Sequence, residues 1–169
     1  SLQKSETAGI RIRHTDEFGL PESPKENIAG VALQAMIDAL GYNNGFDIEI
    51  HKGIKPGSGI GSSAASAAGI VVAANKLLGN PFNNKELTSF AMEGEVLASG
   101  ARHADNIAPC IYGGVTLIRD TASLDIIPLR IPELYVTVVH PQIEIKTSYA
   151  REILPKEVPL IMAVKQWAN

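Results

Sequence analysis

A chain of 169 residues, 45% apolar and 20% charged, can bury one core and is too short for two domains of usual size. Its net charge of -3 and pI near 5.8 leave no basic footprint for a phosphate backbone, which makes nucleic acid a poor first guess as partner, and none is expected. A single cysteine, Cys110, excludes an internal disulfide and a cysteine-rich metal site, and reads as a small buried apolar residue.

No apolar run approaches about 20 residues and no charged-then-apolar leader opens the chain, so a cytoplasmic protein without a membrane span is expected. Residues 1–6 are polar and are expected to be frayed or foreign to the native chain. Ile10, Ile12 and His14 then alternate with Arg11 and Arg13 as a strand does. Ser23, Pro24 and Glu26 form an S-x-x-E capping box with proline at the first helical position. The helix it predicts carries Ile28, Val31, Ala32, Ala35, Met36, Ala39 and Leu40 on one face, and Gly41 closes it. Asn43, Asn44 and Gly45 turn into Phe46, Ile48 and Ile50, which alternate with Asp47, Glu49 and His51 as a half-buried strand.

A glycine-rich stretch at 57–61 runs into Ser62, Ser63 and an alanine-rich helix that reaches Leu78 and stops at Gly79, Asn80 and Pro81. Asn83 or Asn84 caps the next helix, with Leu87, Phe90, Ala91, Gly94, Leu97 and Ala98 on its buried stripe. Past Gly113 and Gly114 come three extended runs, Val115–Arg119, Leu124–Leu129 and Tyr135–His140, punctuated by Pro128, Pro132 and Pro141. A short helix is predicted from about Ser148 to Leu154. A last one spans Pro159 to Asn169, with Ile161, Val164 and Trp167 at helical spacing. Strands and helices mix without strict alternation, which predicts an α+β fold, a sheet with helices packed on one side.

The sharpest local signal is Pro56-Gly57-Ser58-Gly59-Ile60-Gly61-Ser62-Ser63-Ala64-Ala65-Ser66. Three glycines let backbone approach a ligand with positive φ, and the helix start behind them offers free N–H groups and a positive dipole end. Together they predict a phosphate cradle, in which Ser62 or Ser63 can also ligate a Mg2+ that bridges phosphates. The lysine of a P-loop is missing after Gly61, and the glycine spacing does not fit the dinucleotide pattern. The plain alternative is a tight loop leading into a close-packed helix.

The stretch from Pro56 to Ser66 resembles the second signature motif of the GHMP kinases (galactokinase, homoserine kinase, mevalonate kinase, phosphomevalonate kinase). A second segment holds Glu93-Gly94-Glu95, Ser99-Gly100-Ala101-Arg102-His103-Ala104-Asp105-Asn106, Ala108-Pro109 and Gly113-Gly114. Its H-A-D-N tetrad is similar to the homoserine branch of that family rather than to the mevalonate or galactose branches. A third stretch, His140-Pro141 through Ile143-Glu144-Ile145 to Thr147, Ala150-Arg151 and Leu154-Pro155, is similar to the same branch.

The resemblance implies the GHMP kinase N-terminal fold, ribosomal protein S5 domain 2-like, and phosphorylation of L-homoserine by ATP and Mg2+ on the route to threonine. Pro56, Gly57, Ser58, Gly59, Ile60, Gly61, Ser62, Ser63, Ala64 and Ala65 would wrap the ATP phosphates, with Asn27 near the adenine. Ser63 and Glu95 would hold Mg2+. His103, Asp105, Asn106 and Arg151 would line the homoserine pocket, Arg151 taking the substrate carboxylate with a bidentate fork. Asp105 stands as a substrate ligand and candidate base.

By periodicity alone Glu93 and Glu95 lie on opposite flanks of the apolar stripe, and nothing local chooses between them. Taken singly, each of these side chains has an ordinary reading as a solvated helix carboxylate, a cap or a surface residue. The family's first and third motifs are absent, so residues 1–154 are expected to be an N-terminal ATP-binding domain lacking its first strands. Residues 155–169 would then open a truncated C-terminal domain, and the segment alone would be inactive. The alternatives are another GHMP kinase, with a mevalonate- or sugar-type substrate, and a non-catalytic metabolite sensor. A homodimer is left open.

Overall fold

A computed structural model describes residues 1–139 and 153–167. In chain order the elements are β1 (Leu2–Ser5), β2 (Ile10–His14), α1 (Ile28–Leu40), β3 (Gly45–Ile50), α2 (Ser62–Leu77), α3 (Asn84–Ser99), α4 (Ile107–Tyr112), β4 (Val115–Asp120), β5 (Asp125–Leu129) and α5 (Leu160–Trp167). The first three strands form one sheet in the order β1-β3-β2, antiparallel on one side of β3 and parallel on the other. The expected α+β arrangement is present, with the helices on one face of this sheet.

Alternation decides that face. Ile10 pairs with Phe46 and Ile12 with Ile48, and all four are buried in the core. Their neighbours Arg11 and Arg13 stand directly opposite Asp47 and Glu49 on the other face, where Arg11 Nε donates to Asp47 Oδ1 at 2.5 Å and Arg13 pairs with Glu49. Exposed ion pairs contribute little stability, but a slip of one residue would bury all four charges, so the pattern fixes the register. Residues 2–5 are not frayed. They form a strand on β3, with Leu2 opposite Ile48 and the Ser1 amino group donating to the Glu49 carbonyl at 2.6 Å.

The first helix starts later than its capping box predicts. Ser23 to Glu26 closes only a turn, Glu26 N–H to Ser23 carbonyl at 3.0 Å, while Asn27 is the N-cap and its Oδ1 accepts from Ala29 N–H at 2.9 Å. The reason is steric: the Pro24 carbonyl lies against Gly30, where a Cβ would come within 2.3 Å, so the segment folds beside the helix. Gly41 closes α1 at φ 65°, as expected. The buried face is Ala29, Gly30, Ala32, Leu33, Met36 and Ile37, and Ala39 and Leu40 are exposed.

Helix α3 is capped by Asn83 in a full capping box with Glu86. Its core side includes Thr88, Met92 and Glu95, whereas the last turn leaves the core and Leu97 is 45% exposed. Buried Asn75 bridges α2 to the next loop, donating to the Phe82 carbonyl at 2.9 Å and accepting from its N–H at 3.0 Å.

The short helix α4 is not legible in the sequence, because Pro109 reads as a breaker; it sits in the first turn, where its missing N–H costs nothing. Cys110 on α4 is exposed, contrary to the buried reading. A six-residue helix has only one covered side, taken here by Ile107 and Ala108.

Strands β4 and β5 pair as an antiparallel hairpin. The third extended run forms no strand over 135–139, and Tyr135 is 95% exposed; β propensity without a pairing partner does not hold a strand. His140, the helix start at Ser148, Arg151 and Asn169 lie outside the described residues. Helix α5 confirms the helical spacing of Ile161, Val164 and Trp167, all of them exposed.

Two glycines test how closely the helices pack. A Cβ at Gly94 of α3 would fall 2.5 Å from the Ile28 carbonyl of α1, whereas one at Gly69 of α2 meets nothing within 4 Å. Gly94→Ala is expected to destabilise by about 1–3 kcal/mol through overpacking. Gly69→Ala should stabilise by roughly 0.5–1 kcal/mol through helix propensity. Denaturant melts of the two variants in one background check the opposite signs.

Candidate functional site

The three long helices differ at their N-termini. Asn27 caps α1 and Asn83 caps α3 by side-chain hydrogen bonds, whereas the N-cap of α2 is Gly61, which supplies none. Gly61 does accept the first intrahelical bond, from Ala65 N–H at 2.9 Å. The first-turn amides of Ser62, Ser63 and Ala64 are therefore left without a side-chain cap at the positive end of a 16-residue helix. That is the electrostatic requirement for holding an anion.

The loop in front is built to bring backbone close. Gly57, Gly59 and Gly61 have φ of 73°, 77° and 77°, a region that side-chain-bearing residues rarely adopt. The loop is also tied shut. Ser62 Oγ donates to the Ile54 carbonyl at 2.8 Å, and Ser58 N–H reaches the Lys55 carbonyl at 3.3 Å. Ser58 Oγ is buried with no hydrogen-bond partner among the described residues. Such a group costs about 1–3 kcal/mol unless something satisfies it.

A residue that sequence reasoning missed braces this loop. Lys52, just past β3, donates through Nζ to the Ser62 carbonyl at 3.1 Å and to Ser66 Oγ at 2.7 Å. Burial pushes its ammonium below the ordinary lysine range, and the charge of Asp16 partly offsets this. Its only sequence signal is a lysine placed between a strand end and Gly53, which carries no periodicity.

Asn27 belongs to a second network. Its Oδ1 caps α1, so its Nδ2 has only protons to offer, to the Pro21 carbonyl at 2.6 Å and to His14 Nε2 at 3.1 Å. His14 Nε2 must then accept, which leaves the ring proton on Nδ1 facing Asp16 Oδ2 at 3.3 Å. Desolvation works to raise the Asp16 pKa, but hydrogen bonds from Phe18 N–H and from His14, together with the charge of Lys52, hold it below the usual carboxylate range.

Two clefts meet at Ile50, Lys52 and Ser66. The larger, about 300 Å3, is lined mainly by small and apolar groups including Ile48, Ala65 and Gly69. The smaller, about 50 Å3, reaches His14, Pro21 and Asn27.

The second set of residues arrives from α3 and α4. Glu95 is buried in α3, 8% exposed, while Glu93 lies on the other flank and pairs with Arg102. Next come His103, half-buried, and Asp105 and Asn106, both exposed. His103 Nε2 is buried with no hydrogen-bond partner among the described residues. Asn106 opens α4, which packs on α2 and α3. A methyl group at Gly61 would lie 3.8 Å from Asn106 Cβ and Oδ1, so the tetrad and the glycine loop are neighbours.

Ser63, half-buried in the first turn of α2, and Glu95 are on adjoining helices. No group of three or more His, Cys, Asp or Glu side chains is arranged to hold a metal among the described residues. A hydroxyl and a carboxylate nonetheless suit Mg2+, which keeps several waters and takes its remaining oxygens from phosphates.

Comparison with known proteins agrees with this architecture. The family profile described as GHMP kinases N terminal domain matches residues 27–114, more than half of the chain. The homoserine kinase of Chlorobium phaeobacteroides (strain BS1) is 44% identical over 161 residues, 91% of this chain and 50% of the relative. That of Methanococcus vannielii is 42% identical over 162 residues, 95% of this chain and 53% of the relative. A crystal structure of homoserine kinase from Cytophaga hutchinsonii superposes with a TM-score of 0.91 at 45% identity, covering 99% of this chain and 54% of that one. The chain thus spans about half the length of the curated relatives it matches.

Gly59 has open space around a would-be Cβ but a φ of 77°. Gly59→Val therefore strains the backbone and puts bulk where a phosphate would approach. ATP affinity is expected to fall at least about tenfold, 1.4 kcal/mol. Calorimetry on the folded variant checks this, and unchanged affinity would remove the loop from the nucleotide site.

Proposed function

The chain belongs to the GHMP kinases, and from that premise we propose that it is the nucleotide-binding half of an enzyme that phosphorylates the side-chain hydroxyl of L-homoserine with Mg-ATP. One observation carries the reading: the H-A-D-N tetrad lies against an uncapped, glycine-built helix start, with Asn106 beside Gly61. The homoserine kinases named above, at 42–45% identity, support the choice of acceptor. Residues 1–154 are read as the N-terminal domain and 155–169 as the opening of a C-terminal one, in a cytoplasmic enzyme.

Phosphoryl transfer asks for alignment and charge neutralisation more than for covalent help. In this reading the amides of α2's first turn and of the loop take the phosphate oxygens, and the buried Ser58 hydroxyl gains a partner there. The nucleoside lies along the clefts that meet at Lys52 and Ser66, which keeps Asn27 close to the base. Ser63 and Glu95 hold Mg2+, which when bound neutralises charge on the phosphates. His103, Asp105 and Asn106 orient the acceptor. Asp105, exposed at the mouth of the site, can take the hydroxyl proton or hold the substrate ammonium. Arg151 forks onto the carboxylate.

The direct test is ADP release from the full-length protein with homoserine, mevalonate and sugars as acceptors. Homoserine-dependent release is expected. Release with another acceptor, or nucleotide binding without turnover, would overturn the assignment.

Two substitutions probe the roles. Glu95→Gln is expected to lower kcat far more than Glu93→Gln, because only Glu95 is buried between the helices. Equal activity of the two variants would mean that the metal carboxylate is misassigned. Arg151→Lys keeps the charge but loses the fork. It should raise the homoserine KM by the equivalent of about 1.5–3 kcal/mol with ATP binding intact, the scale of charge-assisted hydrogen bonds. Steady-state kinetics with homoserine varied at saturating Mg-ATP decides this.

A further inference from the structure

We propose that Arg102, Glu93 and Ser89 form a clasp that positions the His103–Asn106 segment for the acceptor alcohol; the acceptor rests on the function proposed above. These are positioning residues for that reaction. The chain reverses at the end of α3, where Gly100 takes a φ of 75° and its N–H bonds the Val96 carbonyl at 2.9 Å. Ser99 Oγ lies 3.0 Å from the Glu95 carbonyl and 2.9 Å from the Ala101 carbonyl, and holds the turn from inside.

The next residue secures the returning strand of chain. One guanidinium nitrogen of Arg102 donates to Glu93 Oε1, and the other donates to Ser89 Oγ at 3.3 Å. Ser89 and Glu93 are four residues apart, so they stand one above the other on a single flank of α3. A planar fork serves the two acceptors from two separate terminal nitrogens in a fixed geometry, whereas an ammonium would have to serve both from one nitrogen.

The tetrad begins immediately after the clasp. His103 has a buried Nε2 with no partner among the described residues, Ala104 is buried, and Asn106 opens α4 beside Gly61. The tetrad is thus held at its exit by α4 and at its entry by the Arg102 fork on the flank of α3 that carries Glu93. Loosening the entry frees His103 and Asp105 to leave the acceptor position without disturbing the glycine loop.

A surface ion pair of no consequence is the competing account, since many such pairs contribute nothing measurable. Kinetics and hydrogen exchange on the full-length protein separate the two. Glu93→Gln and Arg102→Met are each expected to raise the homoserine KM about three- to fivefold, with ATP KM and melting temperature nearly unchanged. Arg102→Lys should recover part of the loss, and the swap Glu93→Arg with Arg102→Glu should do better than either single change. Amides of residues 101–106 should exchange faster in Arg102→Met with no substrate present. The proposal fails if exchange and homoserine KM both stay at wild-type values. It fails too if ATP KM and melting temperature shift in step with homoserine KM. If the wild type does not turn over homoserine, the proposed function falls, and the exchange rates alone still decide the clasp.

Discussion

The molecule is organised around a backbone contact. Gly94 of α3 lies so close to the Ile28 carbonyl of α1 that a Cβ would come within 2.5 Å. No side chain fits between the two backbones there. Asn27 precedes Ile28 and Glu95 comes directly after Gly94, so each is one residue from the contact and is placed by covalent geometry. Helix α2 packs against both with Ala64, Ala67, Ala68, Val71 and Ala74. Small residues bury less apolar area than leucines would, but they let backbones approach. Bulk is supplied on the sheet side, by Phe46, Leu33 and Met36, all fully buried. The site side is thereby closely packed and the sheet side supplies most of the hydrophobic drive.

That close packing matters because the glycine loop has few partners of its own. A glycine N-cap in place of a side-chain cap costs only a few tenths of a kcal/mol, but three positive-φ glycines add conformational entropy that other residues would not lose. The cost is tolerated because the loop is fastened from outside. Lys52 and the Ile54 carbonyl hold the helix start toward the sheet, and Asn106 borders it from α4. A Cβ at Gly59 would meet nothing within 4 Å, so the loop keeps open space where the proposed phosphate would approach.

Legibility in the sequence depends on which interactions are local. The strands at Ile10–His14 and Gly45–Ile50 and the helix bounds at Asn83 and Gly41 rest on period and cap chemistry within a few residues, and they are legible. The start of α1 is not. The S-x-x-E box at Ser23 is a sound local signal, overruled by Pro24 packing on Gly30 six residues later. Helix α4 hides behind Pro109, and the strand at Leu2–Ser5 depends wholly on β3 for its partner. The geometry of the glycine loop is legible because glycine spacing encodes backbone conformation directly. Lys52 is not, since its role is a bond across the gap between sheet and helix.

The two glutamates show the same division at the site itself. Two residues apart on a helix is about 200° of rotation, so Glu93 and Glu95 must face opposite ways, and periodicity cannot say which way is inward. The fold decides it through Gly94: the residue pressed on α1 defines the inner line of α3, and Glu95 falls on the buried side of that line. Glu93 is left where the returning chain passes, within reach of Arg102. Identical carboxylates thus acquire different chemistry from one steric contact. Burying a charge is unfavourable unless it is compensated, so Glu95 at this depth makes sense where cations and hydrogen-bond donors meet it. For Glu93, solvent and an arginine are compensation enough.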